Sequence, residues 1–586
     1  MGGTARRSNA VLGLNLSHDR SACLVIDGQV RFAIAEERLS RLKHDIPLNH
    51  RRERFCLCPL KAIKYCLEAA SVDLSDIDLV VASTTYVLDA TTGRRRALHV
   101  GDVTSQCERL SADRVRITGH HFAHAISAGW CSGFADAAVV TVDGGGSITG
   151  YDADGQPTDF ERSTMYSMKD LRLKRVARST GGPPAYGNSV GDLYQVITTY
   201  LGFGRGEEGK TMGLSAYGQL PADGHDNMGT RPQWRPLWQF EKAIVVDAGG
   251  THHVSPIFQF TASGSFHDQL IEWFGPARVS PRPEHTLDRQ IAASAQWAVE
   301  EAMLDICRAA RSRIKATRLC LAGGVALNCV ANGRVLREGL FDEVFIQPAS
   351  SDDGTALGNA LFGWMLLAGE PPISKGWSAY LGRQYGIGEI VAALNKFKDH
   401  VIVRRPENLV SEIAESIASG LIVGIFREGS EFGPRALGHR SILCDPRSVK
   451  MRDHLNNTVK HREPFRPFAP LVLGDCASEY FDLGTKPSPY MLLAAKVLRA
   501  AEIPAVTHID GSARIQTVND QQEAFLCALL RAFKARTGIP VILNTSFNVA
   551  GEPIVESPED ALRCFLGTGI DVLYLEGFRV TRTPSS

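Results

Sequence analysis

The stretch AAVVTVDGGGSITGYDADG, residues 137–155, opens on an apolar run and then meets an aspartate followed by three glycines. A short apolar run closed by a turn signal reads as a buried strand. Glycines directly after a strand let backbone amides approach a bound phosphate closely. A related plan occurs nearer the N-terminus. VLGLNLS (11–17) reads as a buried strand, and SACLVIDGQVRFAIAEE (21–37) as two strands around the turn Asp27-Gly28. PLKAIKYCLEAASV is helical in pattern and DIDLVVAST strand-like. The return of this plan marks a duplicated α/β unit, on a period far longer than a solenoid repeat.

A second glycine turn lies at LAGGVALN, residues 321–328, again after an apolar run. Two such turns suit a nucleotide held between two lobes, as in the actin and sugar-kinase architecture; as tight turns alone they would hold nothing. Gly144, Gly145, Gly146, Gly323, Gly324 and Asn328 are the candidate nucleotide contacts. Residues 160–290 show little periodicity, and DRQIAASAQWAVEEAMLDICRAARSRI (288–314) is a long helical pattern. GEPPISKGWSAYLGRQYG breaks periodicity and sets a boundary near 375, giving domains 1–374 and 375–586. The second also reads as α/β, with a helix at ESPEDALRCFLGTG capped by Ser557.

The 586 residues carry 64 basic and 64 acidic side chains, which leaves no global attraction to nucleic acid or an anionic membrane. The 13 cysteines include no CxxC pair, as expected of reduced thiols in a cytoplasmic protein. The N-terminal apolar run is too short for a signal peptide or a membrane span.

Chemistry concentrates in three places. In HHFAHA (120–125), His120 and His124 stand four apart and share a face if the segment is helical. A zincin would place Glu after the first His; here it is His121. The pair is either an ion site or two histidines of a buried helix. Asp143, Asp352 and Asp353 sit at strand-to-loop turns and are the acidic ligands such a site needs, a donor set suited to Fe(II), Mn or Zn. Secondly, GRGEEGKT (204–211) matches the phosphate-loop expression GxxxxGK[ST]. No clean strand precedes it, glycines and a proline follow where a helix should run, and Glu207 and Glu208 oppose phosphate. It is rejected as a true phosphate loop, with Lys210 kept as an anion contact. Thirdly, EFGPRALGHR and VKHREPFRPF hold Arg435, Arg440, Lys460, Arg462 and Arg466 among glycines, prolines and aromatics. Arginine forks in so irregular a frame read as an anion pocket. LNTSFN adds Asn544, Ser546 and Asn548 at a strand end.

Together these pieces resemble the O-carbamoyltransferases of antibiotic and nodulation-factor biosynthesis. GLNLSHDRSACLV, AEERLSRLKHD, HHFAHAISA, VDGGGS, EGKTMGLSAYG, GGVALN, EFGPRALGHRSIL, VKHREPFRPFAP, GSARIQTV and LNTSFNVAGEPIV carry the resemblance in order along nearly the whole chain. It implies an actin-like domain similar to the Kae1 tRNA-modification protein, then an α/β domain similar to YrdC. The second would make carbamoyl adenylate from carbamoyl phosphate and ATP with Mg. The first would pass the carbamoyl group to a hydroxyl of a small natural product. The resemblance assigns a divalent metal, Fe(II), to His120, His124, Asp143 and Asp352, with Asp353 second to Asp352. Lys460, Arg435, Arg462, Arg466 and Arg514 would hold phosphate, and His18 beside Asp19 would be the base on the acceptor. It brings no nucleic acid and no membrane partner, and it allows a homodimer.

The sequence departs from the family's pattern twice. EGS (428–430) stands where Gly-Arg-Met is usual, and His439 where Asn is common. Rival readings are a tRNA threonylcarbamoyl-type enzyme, which would need a basic surface, and a non-catalytic nucleotide-binding regulator. A sugar kinase would need neither the paired histidines nor the arginine cluster.

Overall fold

A computed structural model of the chain describes residues 9–45, 56–89, 92, 94–107, 110–182, 189–218, 244–246, 251–254, 266–372, 377–484 and 486–584. The chain divides into two compact units, one running to Trp377 and the other from Ser378, with Arg41–Lys43 grouped with the second.

The first unit is built twice on one plan. Its first sheet holds β1 (Ala10–Asn15), β2 (Ser21–Ile26), β3 (Gln29–Ala35), β4 (Leu79–Ser83) and β5 (Val115–Ile117), in the order β3-β2-β1-β4-β5. β1, β2 and β3 pair antiparallel, whereas β1, β4 and β5 run parallel. The second sheet repeats this with β6 (Ala137–Val142), β7 (Pro157–Lys169), β8 (Arg172–Gly181), β9 (Arg318–Ala322) and β10 (Glu343–Ile346). The order is β8-β7-β6-β9-β10, antiparallel through the first three and parallel from β6 to β10. Same order, same directions: this is the duplicated, two-lobed actin-like architecture.

Each central strand is buried along its length, β1 as AVLGLN and β6 as AAVVTV. Strands covered on both faces read as continuous apolar runs, which is why these two were legible. The turn between β2 and β3 falls at Asp27 and Gly28, both at positive φ, as a two-residue hairpin requires.

Two glycines set the packing that builds the site. The helix Asp353–Ala368 lies against β1 so closely that a Cβ on Gly13 would meet the Ala356 carbonyl at 2.0 Å. The same helix meets the helix His120–Cys131 at Gly358, where a Cβ would fall 1.9 Å from the Ala123 carbonyl. Backbone therefore touches backbone, and the two helix N-termini arrive side by side.

The region 160–290 is more regular than its sequence suggests. β7 and β8 form a long hairpin, followed by the helices Val190–Tyr200 and Glu208–Ser215. Glu161, Arg162, Ser163 and Thr164 are all buried in β7, and four buried polar residues in a row erase the alternation a strand is recognised by. The long helix expected from 288 runs Thr286–Ile314.

The second unit holds one nine-stranded mixed sheet. Its strands are β11 (Val401–Arg404), β12 (Val423–Phe426), β13 (Arg440–Cys444), β14 (Ala469–Leu473), β15 (Leu493–Lys496), β16 (Ser512–Val518), β17 (Val541–Ser546), β18 (Val572–Leu575) and β19 (Phe578–Arg582). Their order is β11-β19-β18-β12-β13-β17-β14-β16-β15. The helix Pro558–Leu566 has Ser557 as its cap, bonded reciprocally with Asp560. Among the described residues no helix is long and apolar enough to cross a membrane.

Candidate active site

His120 and His124 point from the first two turns of their helix at two carboxylates, Asp143 at the end of β6 and Asp352 at the start of the helix Asp353–Ala368. All four side chains are buried, and their ligand atoms lie within 4.8 Å of one another. His120 Nε2 stands 3.2 Å from Asp143 Oδ2, 3.3 Å from Asp352 Oδ1 and 3.2 Å from His124 Nε2. His124 Nε2 is 3.5 Å from Asp143 and 3.6 Å from Asp352. Four tetrahedral donors about 2.0–2.1 Å from one ion are set roughly 3.3 Å apart. The spacing and the two-imidazole, two-carboxylate donor set therefore fit a first-row divalent cation. Burial by itself drives the His120 pKa down, but Asp352 and Asp143 outweigh it and hold it near 10. The positive charge these carboxylates demand is what a cation would supply.

Asp353 turns away. It accepts from Gly354 N at 3.0 Å, and burial, then Asp19 and Glu37, raise its pKa well above the usual carboxylate range. Neighbours in a helix differ by about 100° in direction, so only one of the pair can face the cluster.

Asp143 serves a second purpose through its other oxygen. Oδ1 accepts from Gly144 N at 2.8 Å and from Gly324 N at 3.2 Å, one amide from each glycine turn. Gly323, at φ +89°, packs on β6 where a Cβ would meet the Val142 carbonyl at 2.3 Å. On the first turn, Gly145 is half-buried and Gly146 is held by the Glu161 carbonyl at 2.7 Å. Ser147 N donates to Glu161 Oε2, and Ser147 Oγ accepts from His120 N at 2.9 Å. The turn is thus tied to the N-terminus of the histidine helix. Arg162, buried beneath it, donates to the carbonyls of Gly144 and Gly182. Asn328 caps the helix Cys329–Arg337 and pairs with Gln296 through both amide atoms, so its side chain is committed to structure.

The turn between β1 and β2 brings NLSHD to the cluster. Ser17 Oγ donates to Asp352 Oδ2. His18, with 53% of its side chain exposed, sets Nε2 3.4 Å from Asp352 and Nδ1 3.2 Å from Asp19. Burial lowers its pKa, but Asp352 and then Asp19 raise it well above the ordinary histidine value. Ser17, Ser147, Glu161 and Arg162 were not found from sequence, because nothing in a lone buried polar residue names its partner.

Lys210 is not a bare cation. It pairs with Glu207 at 2.7 Å, and the turn before it follows the helix Val190–Tyr200 rather than a strand. That is not the strand–loop–helix context of a phosphate loop.

In the second unit, Lys460 is buried and its ammonium donates to the Ser546 carbonyl, to Asn548 O at 3.0 Å and to Asn548 Oδ1 at 2.9 Å. Lysine and LNTSFN loop are therefore one structure. Burial, then Arg462 and Arg466, push the Lys460 pKa well down; burial, then Arg466 and Arg514, do the same to Arg462. Four cations this close make a concentrated positive field, with Glu463 as the acid that raises Arg462. Arg462 lies over Phe468, 4.3 Å from the ring centroid.

Two candidates here have structural partners. Arg440, read from sequence as part of the anion pocket, is fully buried over Phe426 and spends its fork on the carbonyls of Arg427 and Glu428. Asn544 donates to Gln516 Oε1 and the Ala436 carbonyl. Arg435 is half-buried on the same loop. The loop EFGPRALGHR takes its shape from Glu431, whose Oε1 accepts from Leu437 N, His439 N and Arg440 N at 2.7, 2.9 and 3.2 Å. The two departures from the family pattern touch each other: His439 Nδ1 lies 2.6 Å from the Gly429 carbonyl. A side chain at 429 would strike the Gly382 carbonyl at 2.2 Å.

The first unit thus holds a buried two-histidine, two-carboxylate cluster in its duplicated lobes, and the second, an α/β unit, holds a cluster of cations. The family descriptions Carbamoyltransferase N-terminus and Carbamoyltransferase C-terminus match residues 87–361 and 414–582. Nodulation protein NolNO of Sinorhizobium fredii is 34% identical over 97% of this chain and 80% of its own length. Nodulation protein NolO of Bradyrhizobium diazoefficiens is 36% identical over 80% of this chain and 79% of its own. An uncharacterised Synechocystis protein is 34% identical over 98% and 97%. Among solved structures, full-length HypF in its phosphate- and nucleotide-bound form matches 61% of this chain and 56% of its own, at 13% identity and a TM-score of 0.29, a likeness too weak to carry an argument. The chain belongs to the carbamoyltransferase family, and it is a carbamoyltransferase.

Proposed function

We propose that this carbamoyltransferase is ATP-dependent and acts on a hydroxyl of a small natural product of the antibiotic type, in the cytoplasm. At the cation cluster water would cleave carbamoyl phosphate to carbamate and phosphate, and a carbamate oxygen would then attack the α-phosphorus of ATP, with Mg, forming carbamoyl adenylate and releasing pyrophosphate. The acceptor hydroxyl would then attack the carbamoyl carbon, releasing AMP and forming the carbamate ester. The observation that carries this reading is the Asp143 carboxylate, which joins both glycine turns to the paired histidines.

The parts divide as follows. Arg435, Arg462, Arg466 and Arg514 bind phosphate groups, and Lys460, whose donors are held by Ser546 and Asn548, adds positive charge beside them that offsets the charge developing as they leave. Ser546 and Asn548 hold Lys460 in place. Gly145 and Gly323 offer backbone amides to the adenylate phosphate, while the amides of Gly144, Gly146 and Gly324 hold the two turns to Asp143 and Glu161. His18 accepts the acceptor's proton at Nε2, with Asp19 fixing the ring. His120, His124, Asp143 and Asp352 would hold a divalent cation, Fe(II) by family resemblance, whose chemistry is Lewis acidity towards a phosphate or carbamoyl oxygen. A cation held there would offset the Asp352 charge that raises His18.

The test is an acceptor screen. Purified protein is given ATP, carbamoyl phosphate and panels of aminoglycosides, glycosylated macrolides, β-lactam nuclei and oligosaccharides, and products are read by mass spectrometry. A product heavier by one carbamoyl group, formed only with both co-substrates, is expected. Carbamoylation that proceeds without ATP would overturn the adenylate route.

A further inference from the structure

The motif KHD, residues 43–45, is joined to SHD, residues 17–19, and the proposed function leaves that join unused. Asp19 N donates to the His44 carbonyl at 3.1 Å, and His44 Nδ1 lies 2.9 Å from Asp19 Oδ1. One residue further on, Arg20 pairs with Asp45 at 2.7 Å. His44 N donates in turn to Glu37 Oε2 at 2.8 Å. On its far side His44 meets the rejected phosphate-loop motif: a Cβ on Gly206 would fall 2.8 Å from His44 Nε2, so the GRGEEGKT turn rests on the imidazole.

The opposite oxygen of Asp19 faces His18. Oδ2 lies 3.2 Å from His18 Nδ1 and accepts from Ser351 Oγ at 2.8 Å. Asp19 and His44 both hold left-handed backbone, at φ 54° and 63°, a conformation non-glycine residues adopt rarely and keep where neighbours enforce it. The enforcement is visible: Asn15 Nδ2 donates to the carbonyls of both His18 and Asp19, at 2.9 and 3.0 Å. A carboxylate gripped on both oxygens by ring nitrogens and a hydroxyl cannot swing, and the ring on its reactive side is aimed by it.

We propose that His44 is a positioning residue for carbamoyl transfer: through Asp19 it fixes the tautomer and direction of His18, with the Gly204–Thr211 turn as the wall behind it. This rests on the reading of His18 as the acceptor's base. Groups that orient a reacting side chain at one remove are worth on the order of 10- to 100-fold in rate.

The test has two arms, so that it survives a failure of the functional reading. In the first, full-length protein labelled with 15N-histidine and treated with chelator is examined for the downfield His18 Nδ1 proton, assigned by its loss in His18→Ala. The signal should persist in wild type and in His44→Asn, whose amide nitrogen stands where Nδ1 did. It should broaden or vanish in His44→Ala and His44→Gln; if the alanine variant does not fold, the Asn–Gln pair decides. In the second, with an acceptor from the screen, His44→Ala and His44→Gln should lower kcat by about 10- to 100-fold with KM little changed, and His44→Asn should recover most of it. A His18 signal indifferent to all three variants overturns the proposal, as does a kcat that falls equally in Asn and Gln. Absence of transfer with every acceptor would count against the functional reading alone, since the first arm needs no turnover.

Discussion

Asp143 and Gly324 lie on different strands' ends, and the carboxylate of one accepts the amide of the other at 3.2 Å. The same carboxylate turns its second oxygen to His120 at 3.2 Å. Asp143→Asn keeps a carbonyl oxygen for only one of these duties. Metal affinity should fall by on the order of 10- to 100-fold, read by elemental analysis after dialysis against graded chelator. Unchanged affinity would remove Asp143 from the ligand set.

Ser17 acts at one remove through its bond to Asp352. Ser17→Ala should weaken metal binding by roughly tenfold while leaving the melting temperature within a few degrees. The same titration checks it.

Glycines separate a working turn from a coincidental motif. A Cβ on Gly146 would meet the His121 ring at 2.6 Å and Glu161 Cβ at 2.8 Å, whereas Gly209 has nothing within 4 Å. Gly146→Ala should cost about 1–3 kcal/mol in urea unfolding. Gly209→Ala, in the first turn of the helix Glu208–Ser215, should be neutral or stabilising by up to about 1 kcal/mol. If Gly209→Ala instead abolished nucleotide binding, GRGEEGKT would have to be restored as a phosphate loop.

Lys460 gives the pH dependence. Burial, then Arg462 and Arg466, lower its pKa in the folded chain. Between that lowered value and the ordinary lysine value of about 10.4, the unfolded chain binds the extra proton, so stability rises with pH across this window. Below the folded value both states are protonated and the gain is lost. Lys460→Met lacks this slope, so wild type should gain on the variant as pH rises. Urea titrations of both proteins at several pH values check the sign.

How far the sequence revealed this arrangement depends on what each residue's signal was. β1 and β6 were legible because both faces are buried, and the glycines after β6 and β9 because a strand followed by glycine has few other readings. The histidine pair was legible as spacing, but its carboxylates come from distant sites, the nearer of them, Asp143, 23 residues beyond His120. Asp352 and Asp353 could not be told apart by type, and the helix start separates them by rotation. Arg440 looked like a pocket arginine because composition carries no direction, and β13 is buried along its whole length, which puts Arg440 in the core. The β7–β8 hairpin was missed because Glu161 and Arg162 are buried for the sake of the DGGGS turn, against strand patterning.

The central claim is that two chemistries occupy two sites, and one measurement addresses it directly. Pyrophosphate release from ATP is followed with and without carbamoyl phosphate, and without acceptor, in wild type, Lys460→Ala and His120→Ala. The account predicts release that depends on carbamoyl phosphate, is abolished by Lys460→Ala and is largely spared by His120→Ala. Equal loss in both variants, or release indifferent to carbamoyl phosphate, would contradict it.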